Sequence, residues 1–217
     1  MTLIEFLKAG GIVMYPLIFC SLLALAIIIE KLLNLRPAKI VDNKKFETVV
    51  TLIEGGVVSK AEELCRKNPG IMGSMLGAVL ENRHLEREEI KGIISDVGRQ
   101  EVSKLEKHLG ILGTVAGVSP LLGLLGTVAG MIRVFKIISV TGVGQAGALS
   151  AGISEALITT ATGLSIAIPT LVMYNIFVDR SEKIVLELEK FSLKVMQIVK
   201  EKKEEKRSLL PADKSME

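Results

Sequence analysis

The feature that most constrains this chain is the near-absence of charge from three long stretches. Ile12 to Ile29 and Leu109 to Ile132 contain no charged residue, and Ile137 to Val178 contains one, Glu155. A helix of about 20 apolar residues crosses the hydrocarbon core of a bilayer. Only helices and closed barrels satisfy their backbone in lipid, and no segment alternates with the period of a strand. Charge is dense elsewhere. The mean hydropathy of +0.45 is therefore the average of two unlike parts, not of one globular domain. The expected fold is an all-α membrane protein with three transmembrane helices, the second and third extended into long cytoplasmic helices. The expected boundaries are an outer N-terminus over 1–11, helices over 12–33, 109–138 and 154–178, a cytoplasmic helical region over 34–108, an outer loop over 139–153, and a cytoplasmic helix and tail over 179–217.

The first stretch reads as a retained span. It is too long for the apolar region of a signal peptide, and it runs into Glu30-Lys31 instead of a small-residue cleavage site. Orientation follows from Lys and Arg, which favour the cytoplasmic side. Residues 31–108 hold 14 of them and the tail from 179 holds ten, against one, Lys8, before the first stretch. That places the N-terminus outside and the C-terminus in the cytoplasm. Arg133 and Lys136 sit against this rule, near the outer end of the second span. Basic and acidic residues alternate along 31–108, which makes a solvated helical surface and not a nucleic-acid patch. Cys20 in the bilayer and Cys65 in the cytoplasmic part are expected as thiols.

The cytoplasmic region divides at its turn signals. Lys44 to Glu54 reads as a helix ending at Gly55-Gly56. Ser59 and Glu62 read as the capping box of the next helix, which stops before Asn68-Pro69-Gly70. A short apolar helix follows over about 71–80. Glu86 to His108 is amphipathic and runs toward the second span without a proline, so one helix is expected from about Glu88 to Ile138. Ile184, Leu188, Phe191, Val195 and Ile198 recur at helical spacing and carry the third span to about Lys203. The residues from Ser208 read as disordered. A helix of about 50 residues rises roughly 75 Å, and one chain cannot bury it along its whole length, which argues for an oligomer.

Small residues line one face of each later span. Ala116, Ser119, Gly123, Gly126 and Gly130 lie within about 80° of one another on a helix. Ala156, Thr160, Gly163, Ala167 and Thr170 form a matching stripe. Small residues let helices approach closely in lipid, so Gly123, Gly126, Gly130, Gly163 and Ala167 are expected to serve packing. Glu155 is a different matter. A carboxyl in an apolar stretch usually faces a bundle interior or water and can carry a proton. Its alternative is a boundary position near a helix N-terminus. Thr114, Thr127, Thr159, Thr160 and Thr162 are candidates for a polar path, although a membrane threonine more often bonds its own helix at the previous turn. Pro169 frees the carbonyl of Ser165 and is expected to bend the third span. Gly142 to Gly147 matches a dinucleotide fingerprint, but a membrane span follows it in place of a βαβ unit. No nucleophile–base pair, metal-ligand spacing or P-loop is present in the sequence, so neither an enzyme nor a cofactor or metal is expected.

Three segments together resemble the ExbB/TolQ/MotA family of proton-driven motor subunits, with the ExbB type the nearest. They are Gly10 to Leu17 with Ser21 to Lys31, then Pro120 to Met131, then Gly152 to Gly163 with Ala167-Ile-Pro169. The resemblance covers the chain apart from its tail. It implies a homopentameric ring in the bacterial inner membrane, around the helix of an ExbD-like or TolR-like partner that supplies an aspartate. It also implies proton flow coupled to a TonB-like or TolA-like protein. Carried over by position, it implies that Thr127, Glu155 and Thr160 line the proton path. On an ideal helix Glu155 and Thr160 point about 140° apart, so they cannot both face one axis. An ExbB role in TonB-dependent transport leads, with a TolQ role in the Tol-Pal system next. A non-conducting membrane scaffold is the alternative from another class. A secondary transporter lacks the inverted repeat it would need.

Overall fold

The computed structural model describes residues 10–35, 40–68, 70–142 and 145–208. These residues form seven helices: α1 (Met14–Asn34), α2 (Asn43–Glu54), α3 (Val58–Lys67), α4 (Ile71–Glu81), α5 (Arg87–Leu105), α6 (Leu109–Thr141) and α7 (Ala146–Ser208). No strand occurs among the described residues. The disorder expected beyond Ser208 and the central residues of the fingerprint segment, 143 and 144, lie outside them.

The chain divides into two compact units. The first joins the segment up to Asn34 with Lys107–Val178, and contains α1, α6 and the first half of α7. Each of these helices is long and apolar enough to cross a membrane. On α1 the buried residues are Met14, Leu17, Ala24, Ile27 and Lys31, which recur at three- and four-residue steps with one turn skipped. Val13, Met14 and Leu17 form one buried cluster of the unit, with Ile18, Leu122 and Ile166 packed on it. The opposite face of α1 exposes Tyr15, Phe19, Leu22 and Leu25, and α6 exposes Leu121, Leu124, Ile132 and Phe135. So much exposed apolar surface belongs against lipid or other helices and not against water.

The second unit joins Leu35–Glu106 with the chain from Asp179. Asp42 caps α2 by accepting a hydrogen bond from the Lys45 amide at 3.3 Å. Phe46 stacks on Phe191 with ring centroids 4.2 Å apart. Gly98 leaves room for the Glu189 carboxylate and Val185. Burial pushes the Cys65 thiol up to about 11, with the Glu62 charge adding to the effect.

Three expectations change. The helix expected over Glu88–Ile138 is interrupted: α5 ends at Leu105, α6 begins at Leu109, and His108 between them has a left-handed φ of 72°. The His108 ring reaches Glu30 of α1 at 3.3 Å, a tertiary contact that no local pattern carries. Ser59 is not a cap. Val57 holds that position without a side-chain bond, and Ser59 lies inside α3. The reciprocal arrangement occurs instead at α5, where the Glu86 amide donates to Glu89 Oε2 at 2.9 Å. Finally, α7 begins at Ala146, inside the segment expected as loop. Gly152 lies inside the helix, where a Cβ would meet the Val134 side chain. Pro120 and Pro169 both lie inside helices.

Candidate functional site

The small faces of α6 and α7 meet in an antiparallel seam. From Gly113 to Val134 on α6, the facing residues on α7 descend from Tyr174 to Gly152. At Gly123 an added Cβ would stand 3.1 Å from Thr160 Cα, and at Gly130 it would stand 2.9 Å from Ala156 Cβ. Gly126 faces the Thr159 side chain, and Gly163 faces the backbone of Ser119 and Gly123. Ala167, further along the stripe, is buried. Each glycine therefore sits where a side chain would push the helices apart.

That close approach separates the threonines. Thr114 donates to the Gly110 carbonyl at 2.9 Å, and Thr162 to Ile158 at 2.8 Å. Thr159 is buried and bonds the Ala156 and Glu155 carbonyls of its own helix at 2.9 and 3.2 Å. These three satisfy themselves within the turn below. Thr127 and Thr160 instead meet each other across the seam, hydroxyl to hydroxyl. Thr160 Oγ1 lies 3.0 Å from the Gly123 carbonyl of the other helix. Thr127 Oγ1 lies 3.2 Å from the same carbonyl and 3.4 Å from that of Ala156. Two hydroxyls carry two protons and face two carbonyls as well as each other. Either hydroxyl can donate to the other while the remaining one donates to a carbonyl. The pair therefore has two interchangeable arrangements, and both residues are only half-buried.

Glu155 does not join this pair. It stands five residues from Thr160, about 7.5 Å along the helix axis, and pairs with Arg133 of α6. Its other oxygen lies against Gly11 at the entry to α1. The structure thus brings together two of the three expected path residues and places the third in a separate charged cluster. Arg133 is the member that sequence reasoning missed. A signal was available: Arg133 lies nine positions before the 142–145 connection and Glu155 ten after it, so antiparallel helices bring them nearly level. Glu155 is the only carboxylate between Leu109 and Val178. Among the described residues no buried side-chain polar atom lacks a partner.

The MotA/TolQ/ExbB proton channel family matches residues 67–190, which include the whole α6–α7 seam. The biopolymer transport protein ExbB-like 1 of Synechocystis sp. is 34% identical over 81% of this chain and 70% of its own length. ExbB-like 3 of the same organism is 33% identical over 78% of this chain and 81% of its own. The Tol-Pal system protein TolQ of Pseudomonas aeruginosa is 38% identical over 40% of this chain and 37% of its own. With three apolar helices, a glycine-lined seam and a matched segment covering more than half of its length, this chain belongs to the MotA/TolQ/ExbB proton channel family.

Proposed function

We propose that the chain is an ExbB-like subunit of an inner-membrane proton channel that energises TonB-dependent transport across the outer membrane. The observation that carries the reading is the Thr127–Thr160 pair, the one hydroxyl-to-hydroxyl contact across the seam among the described residues. A hydroxyl pair with two proton arrangements can pass a proton or orient water, but it cannot store a charge. It needs a titrating group beside it. Glu155 stands about 7.5 Å further along the path and not beside the pair, so the carboxylate that faces the pair is expected from a single-span ExbD-like or TolR-like partner, as an aspartate. Copies of this chain, five in a ring, surround that partner, with the N-terminus periplasmic and the C-terminus cytoplasmic. The apolar side chains exposed on α1 and α6 support this, because one subunit leaves them for lipid and for its neighbours.

The match to TolQ favours a second reading, in which the same channel drives a TolA-like protein of the Tol-Pal system. The seam is common to both, and the partner distinguishes them. The test is proton flux into liposomes that contain this chain with its partner. Thr160→Ala and Glu155→Ala are each expected to lower flux by about tenfold or more, the scale of a lost proton-transfer group. Wild-type flux from both variants would remove these residues from the path.

A further inference from the structure

We infer that Arg133 is a positioning residue. Through its ion pair it holds the Glu155 carboxylate against the turn at Gly11. The inference rests on the reading of Glu155 as a path residue and adds to it the group that governs where Glu155 stands.

An arginine in an apolar stretch is costly and is retained where it has a counter-charge. Arg133 has one, with Nη1 against Glu155 Oε2. The two members are not equally covered. The Glu155 side chain is 18% exposed and that of Arg133 57%, so the carboxylate is the inner member and the guanidinium closes over it. A second contact comes from the opposite side. Gly11 has φ +65°, a conformation that disfavours any side chain, and a Cβ there would fall on Glu155 Oε1. The turn is held by the Met14 amide, which donates to the Gly11 carbonyl at 3.2 Å. Glu155 is thus clamped between α6 and the start of α1, with one oxygen for each. Lys136, the next charge on α6, is exposed and has no ion-pair partner among the described residues, so Arg133 carries the pairing.

A clamp of this kind controls reactivity as well as position. An ion-paired carboxylate reacts slowly with a hydrophobic carbodiimide, whereas a released carboxyl reacts readily. The experiment labels the full-length protein, assembled with its partner in liposomes, with dicyclohexylcarbodiimide and quantifies adduct at Glu155 by mass spectrometry. Proton flux is read in the same vesicles. Arg133→Gln is expected to speed labelling about tenfold or more, the scale of a lost charge-assisted hydrogen bond. Arg133→Lys, which keeps the charge, is expected to restore most of the protection. Gly11→Ala keeps both charges but fills the slot, and is expected to expose Glu155 as well. It carries the test by itself if Arg133→Gln fails to insert.

Labelling within twofold of wild type in both Arg133→Gln and Gly11→Ala would overturn the inference. So would failure of Arg133→Lys to protect where Arg133→Gln does not. Faster labelling with unchanged flux would uphold the clamp and remove Glu155 from the proton path, which separates this inference from the reading beneath it.

Discussion

Thr127 and Thr160 show how residue chemistry and helix packing depend on each other. Their hydroxyls meet only because Gly123, Gly126 and Gly130 let the helices close. The energy of the contact is modest, since polar contacts between membrane helices average about 0.6 kcal/mol and reach about 1.7. A double-mutant cycle with Thr127→Val and Thr160→Val, read by unfolding in mixed micelles, is expected to give a coupling energy in that range. A value of zero would mean that the hydroxyls do not interact. Cys65 allows a sharper test at the same scale. Its ionisation is displaced upward from 9.0 to about 11 by burial. The folded protein therefore retains the thiol proton between those values while the unfolded chain loses it, so the contribution of this group to stability falls as pH rises from 9 to about 11. Iodoacetamide labelling of a Cys20→Ser variant is expected to remain slow at pH 9 and to accelerate only near pH 11. The stripes of small residues and the candidate threonines were legible in the sequence, because apolar helices expose their periodicity directly. The separation of Thr159 from Thr160 was not. It depends on which hydroxyl reaches across the seam, and adjacent threonines look alike in a sequence.

Among the elements, most helices could be read from their punctuation. Gly55-Gly56 ends α2, Asn68 follows α3, and the apolar run from Ile71 is α4. What escaped were ends fixed by tertiary contact. Neither proline nor glycine marks the break before α6. His108 takes a left-handed conformation there and its ring meets Glu30 of α1. The capping box at α5 uses Glu86 in place of the Ser or Thr that marks such a box in a sequence. A left-handed residue other than glycine costs about 1–2 kcal/mol. His108→Gly relieves that strain and loses the contact with Glu30, and is expected to leave stability nearly unchanged. His108→Val adds a β-branch at positive φ and is expected to lower stability by a further 1–2 kcal/mol or about that. Thermal unfolding of the purified variants checks both, and equal stability of the two would contradict the assignment of His108 to the left-handed region.

At the scale of the whole molecule, the three charge-poor stretches become three helices fit to cross a membrane, and the charged remainder becomes a separate compact unit. That division was legible because lipid and water select opposite side chains. The seam between α6 and α7 lies within the segment shared with the family, and the hydroxyl pair lies within the seam. The central claim is that this pair works through its hydroxyls and not through its shape. Thr160→Ser keeps the hydroxyl and loses a methyl group, whereas Thr160→Val keeps the shape and loses the hydroxyl. The decisive measurement is proton flux through the reconstituted complex carrying each. The account predicts that Thr160→Ser conducts within about threefold of wild type and that Thr160→Val falls by about tenfold or more. Wild-type flux through Thr160→Val would contradict it.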